Sequence, residues 1–86
     1  MPSRRLGGAT RQYLDANAAF RADILTRLRR DGPLQASEIP DTSAVQAKNE
    51  SGWYGANQVP RMLELMSYLG DVAISGRIGR QRVWDL

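Results

Sequence analysis

The stretch from Leu69 to Leu86, LGDVAISGRIGRQRVWDL, decides the fold. Apolar and polar side chains alternate over Val72, Ala73, Ile74 and Ser75, the chain turns through Gly76-Arg77-Ile78-Gly79, and alternation resumes from Gln81 to Leu86. Period-two patterning on both sides of a glycine-bounded turn predicts a β-hairpin. Its tip is cationic, because Arg77, Arg80 and Arg82 fall within six residues while Asp71 and Asp85 lie at the far ends. Trp84 and Leu86 share a face by period two and are assigned inward; Arg82 starts on that side and is expected to reach outward at the open end.

Immediately before the hairpin, Val59, Met62, Leu63, Met66 and Leu69 recur at helical spacing until Gly70 stops them. Asn57 is the expected N-cap, Pro60 is tolerated in the first turn, and Met62 and Met66 read as core filler. With that stripe turned inward, the opposite face near the helix start presents Asn57, Gln58 and Arg61, with Leu65 and Tyr68 farther along. The first three are residue types that read nucleic-acid grooves. Glu64 on the same face carries a charge that opposes phosphate and argues against deep sequence-specific insertion.

Farther upstream, Asp41 to Ala56 forms a sixteen-residue connection, long for a compact domain, with Trp53 and Tyr54 as its expected anchors. Leu34 and Gln35 allow only a very short extended piece, after which Ser37 is expected to cap an element containing Glu38 and Ile39 that Pro40 keeps short. From Thr10 to Arg30 the pattern is helical, with Phe20, Ile24, Leu25 and Leu28 on one stripe. Asn17 offers a second helix start, which would set Tyr13 and Leu14 in a separate first segment, and Asp31-Gly32-Pro33 ends the run. Residues Met1 to Ala9 have no periodic face and read as a mobile basic arm carrying Arg4 and Arg5.

Composition narrows the chemistry. The 86 residues suffice for one core and not two. Cysteine and histidine are both absent. Disulfides, thiolate or imidazole metal ligation and Cys or His nucleophiles are thereby excluded. No apolar run resembles a signal peptide or a membrane span, so a soluble cytoplasmic protein with no membrane partner, metal or cofactor is expected. Net charge is +3, and eleven of the twelve cations are arginine. Arginine forks suit phosphates and guanine edges, although a GC-rich genome produces the same bias. The nearest acidic pair, Glu38 with Asp41, sits beside a proline with nothing evident to shift its pKa, and no catalytic site is expected.

The order helix, tiny strand, short helix, loop, helix, two-stranded ribbon predicts an α+β domain of winged helix-turn-helix type spanning residues 10–86. Its expected core is Phe20, Ile24, Leu25, Leu28, Leu34, Ile39, Val59, Met62, Leu63, Met66, Leu69, Val72, Ile74, Trp84 and Leu86.

Three segments carry a family resemblance: ANAAFRADILTRLRRDGPL (Ala16 to Leu34), GWYGANQVPRMLELM (Gly52 to Met66) and, most specifically, GRIGRQRVWDL (Gly76 to Leu86). Together they resemble the winged-helix DNA-binding domains of the bacterial glycosylase family that excises alkylated bases and unhooks interstrand crosslinks. The resemblance implies a channel of winged helices around duplex DNA and a Gln-x-Gln or Gln-x-Asp catalytic motif N-terminal to this segment. Residues two positions after Gln12, Gln35, Gln46, Gln58 and Gln81 are Leu14, Ser37, Lys48, Pro60 and Val83, so the motif does not occur here. The resemblance therefore implies DNA binding and DNA repair without catalysis by this chain, which is expected to be part of a longer protein.

The expected function is binding of double-stranded DNA through phosphates, from Arg61, Arg77, Arg80 and Arg82, with Asn57 and Gln58 as groove contacts. The alternative is a protein-interaction module in which Tyr54, Tyr68 and Leu65 form an apolar patch that docks neighbouring domains or a partner protein.

Overall fold

A computed structural model describes residues 7–44 and 57–86. The expected loop anchors Trp53 and Tyr54 and most of the N-terminal arm, including Arg4 and Arg5, lie outside the described residues. Those described form a small α+β unit with three α-helices and a three-stranded antiparallel sheet. In chain order they are α1 (Gly8–Ala16), α2 (Ala18–Asp31), β1 (Leu34–Gln35), a 3-10 turn (Ala36–Glu38), α3 (Val59–Leu69), β2 (Ala73–Ile78) and β3 (Gln81–Asp85).

The helical run divides at Asn17, as that residue's capping chemistry suggested, but its side chain serves elsewhere. Asn17 is buried, donates from Nδ2 to the carbonyl of Tyr13 at 3.1 Å and accepts the backbone N–H of Ala44 at 2.7 Å. It thereby ties the break between α1 and α2 to the segment that follows the 3-10 turn. Gly32, at φ 81°, ends α2 by donating its N–H to Leu28, which is the termination the Asp-Gly-Pro sequence predicts. The short turn after β1 is capped by Gln35 instead of Ser37, because the Glu38 carboxylate reaches back to accept the Gln35 N–H at 2.8 Å.

At the end of α3, Gly70 adopts φ 88° and the N–H of Asp71 reaches the carbonyl of Met66 at 2.8 Å, a six-to-one closure open to a left-handed residue. Asp71 then accepts from Arg21 Nε at 2.8 Å and also from its Nη2, fixing the start of the hairpin against α2.

In the sheet β3 is central, in the order β1-β3-β2. Trp84 sits across from Leu34 on one side and Ile74 on the other. Its face turns inward, and Trp84 joins Phe20, Ile24, Leu28, Val59, Met62, Leu63 and Met66 in one apolar cluster. Each large side chain buried there contributes about 1.5–3 kcal/mol.

Two expected core residues are exposed: Ile74 by 44% and Leu86 by 53%. Ile74 has the inward facing that alternation gave it, but it lies on the edge strand, and Leu86 follows the last paired residue. Conversely, Tyr13, Leu14 and Leu65 are buried beyond expectation. Leu65 lies about two helical turns from Gln58, so the two share a flank of α3. Tyr13 covers that flank by donating its hydroxyl to Gln58 Oε1 at 3.1 Å.

The hairpin turn is also shorter than its glycines suggested. Gly76, Arg77 and Ile78 belong to β2, and only Gly79 and Arg80 make the turn. Gly79 has φ 60° while Arg80 keeps a negative φ, the pattern of a two-residue turn with glycine in its first central position. Between Ile74 and Gly76 the register shifts at Ser75, which forms a β-bulge.

Candidate nucleic-acid interface

The bulge determines which way the arginines point. In an unbroken strand Ile74 and Arg77, three positions apart, would project from opposite faces. The extra residue restores Arg77 to the Ile74 face, and Arg77 pairs directly with Arg82 across the strands. Arg82 is two residues before Trp84 and shares its face. Two arginine side chains consequently leave the strands from directly opposite positions on the helix-facing side of the hairpin, a like-charge pairing that disfavours an isolated sheet.

Outward residues of α3 approach the same region. Glu64, Tyr68 and, just ahead of the helix, Asn57 are exposed, with Arg61 half-buried on the same stripe. Glu64 Oε1 lies 3.9 Å from Arg82 Nη1, placing the outward stripe of α3 beside the hairpin. Between them runs an open groove of about 220 Å³ lined by Pro60, Glu64, Arg80, Arg82 and Trp84, among others.

Of the other arginines in the described residues, Arg21 pairs with Asp71, Arg27 with Asp23 at 3.0 Å and Arg30 with Asp31 at 2.9 Å. The Asp31 carboxyl is held below its ordinary pKa, chiefly by the Arg30 hydrogen bond. On the hairpin, Arg82 has Glu64, whereas Arg77 and Arg80 have no carboxylate within 4.0 Å among the described residues. The tip is therefore a net cationic projection.

The structure separates the residues that sequence reasoning grouped at the helix start. The N-cap position falls to Gln58, without a side-chain capping bond, instead of to Asn57, which is exposed and whose Oδ1 accepts the Val59 N–H at 3.0 Å in a turn just ahead of the cap. Gln58 is fully buried, bound to Tyr13 through its side chain and to Asp41 Oδ2 through its backbone N–H at 2.8 Å. A side chain without solvent exposure does not reach a groove, and Gln58 is withdrawn from the contact set. The alternative docking patch loses Leu65 for the same reason, while Tyr68 remains 48% exposed.

Asp41, which sequence reading did not single out as structural, closes the base of the long connection. Its Oδ1 accepts the Ser43 N–H at 2.9 Å while Oδ2 takes that of Gln58. Burial pushes its carboxyl up, but the Ser43 hydroxyl and the backbone N–H groups of Gln58 and Ser43 together outweigh burial and leave it below the ordinary carboxylate range. An aspartate followed two residues later by serine, an Asx-turn pattern, was the available signal.

No group of three acidic side chains capable of holding a metal occurs among the described residues, and no described helix is long and apolar enough to cross a membrane. No family model, curated protein or solved structure matches the chain.

Proposed function

We propose that this chain is a winged-helix module that binds duplex DNA, with Arg77, Arg80 and Arg82 of the wing and Arg61 of α3 contacting phosphates. The winged-helix reading is supported by β1 pairing with β3 ahead of α3, and by the hairpin projecting beside that helix. The DNA reading is carried by the direct cross-strand placement of Arg77 and Arg82. Like charges opposite one another cost stability. A polyanion lying along the wing offsets that cost and releases its own condensed counterions in doing so.

Asn57 is the groove candidate that survives at the helix start, and any such contact would be donated by its Nδ2 because Oδ1 holds the Val59 N–H. With one groove candidate against four phosphate-directed arginines, binding has low sequence specificity. The resemblance of the quoted segments to repair-glycosylase winged helices supports the same assignment, and the reading includes a role for the module in a DNA-repair protein.

Titration of the chain with a short duplex, followed residue by residue by nuclear magnetic resonance, tests this. Shifts concentrated at Asn57, Arg61 and Gly76 to Arg82 are expected. No shifts at low salt would overturn the assignment and favour protein docking through Tyr68.

A further inference from the structure

Arg82 is the one wing arginine with a carboxylate partner among the described residues, and this distinguishes it from Arg77 and Arg80. Its guanidinium has Arg77 across the strand and Glu64 at 3.9 Å across the groove. The Arg82 and Glu64 side chains are 46% and 51% exposed, so water and ions reach both. An ion pair of that exposure is weak enough to be broken by a competing anion, yet breaking it is not free. Glu64 also projects from the outward stripe of α3 that carries Arg61, so a phosphate approaching Arg82 from the helix side meets a carboxylate first.

We infer that Glu64 is an internal counter-ion that competes with DNA for Arg82, limiting affinity and leaving Arg77 and Arg80 as the wing arginines that engage phosphate readily. This rests on the proposed DNA binding and adds a residue that regulates it. The device gives the wing a graded response. Two of its arginines meet phosphate directly, and the third is recruited only when a phosphate displaces a side chain of the same protein.

Salt dependence separates these contributions, because each phosphate neutralised adds about 0.9 to the log-log slope. The full 86-residue chain is compared with Glu64→Gln, Arg82→Ala and the double variant, using fluorescence anisotropy with a labelled short duplex. Glu64→Gln is expected to steepen the slope of the unaltered chain by about 0.9, for the one contact that Arg82 adds. At low salt Glu64→Gln should bind roughly two- to fivefold more tightly. In the Arg82→Ala background the same substitution should change neither quantity. An equal gain in that background would mean that Glu64 acts through the general field and would overturn the inference, as would an unchanged slope for Glu64→Gln. Binding lost in all four proteins overturns the DNA reading itself, whereas binding without the Glu64 effect overturns only the role of Glu64.

Discussion

The hydroxyl of Tyr13 donates to the side-chain carbonyl of Gln58 at 3.1 Å, joining two buried residues 45 positions apart in the chain. With Asp41 holding the Gln58 N–H, this bond fixes where α3 begins relative to α1. Replacing Gln58 with Leu removes this hydrogen bond between two buried side chains, and a loss of about 1–3 kcal/mol is expected. Urea unfolding measures it. At temperatures where the variant is fully folded, duplex affinity should be unchanged; a selective loss of affinity would return Gln58 to the DNA surface.

Trp84 lies between β1 and β2 at the centre of the sheet and is 4% exposed. Trp84→Ala should cost roughly 3–5 kcal/mol, a large share of the stability available to a domain of this size. Thermal unfolding followed by circular dichroism reports the change. An unaltered midpoint would place the indole outside the core.

Asp41 gives stability an acid dependence of defined sign. Its folded pKa is lowered, so the unfolded chain binds the proton more tightly and stability falls as pH drops. The contribution is complete above the ordinary carboxylate value of about 3.9 and disappears as pH falls through the lower folded value. Asp41→Asn should be less stable than the unaltered chain at pH 7, with the gap narrowing below about pH 4. Paired denaturation curves between neutral and strongly acid pH measure it, and a gap independent of pH would count against the assignment.

Arg77→Ala combined with Arg80→Ala removes two surface cations from the wing. Salt-dependent affinity should lose about 1.8 from its log-log slope, for any duplex sequence tested. Stability should change little, or rise slightly as the pairing of Arg77 with Arg82 is relieved. Sequence-dependent losses would show that these arginines read bases.

The helices were legible because burial follows a simple period. Phe20, Ile24 and Leu28 on α2, and Val59, Met62, Leu63 and Met66 on α3, are all buried as their spacing predicts. The flank of α3 bearing Gln58 and Leu65 was not legible, since amphipathic spacing identifies the centre of a buried face but not how far a neighbouring helix wraps around it. Ile74 illustrates the corresponding limit in a sheet: alternation assigns the side, whereas the extent of the covering layer is a tertiary property. The arginines of the candidate interface were all identifiable from sequence, but their shared facing was not. That depends on a bulge with no distinctive residue at its centre, Ser75 being ordinary in a strand apart from a 3.4 Å bond from its hydroxyl to the Val83 carbonyl.

Ser75 makes the direction of the wing's charge a matter of parity. Residues before it keep the facing fixed by Trp84 and the core, and those beyond it on β2 are half a period out of step. Deleting Ser75 would leave Ile74, Gly76 and Arg77 in plain alternation and keep Arg77 opposite Arg82, whereas drawing Ser75 into the ladder would turn Arg77 to the other surface of the ribbon. Whether one residue is left outside the ladder, more than which residue it is, therefore sets the surface on which this module shows its charge.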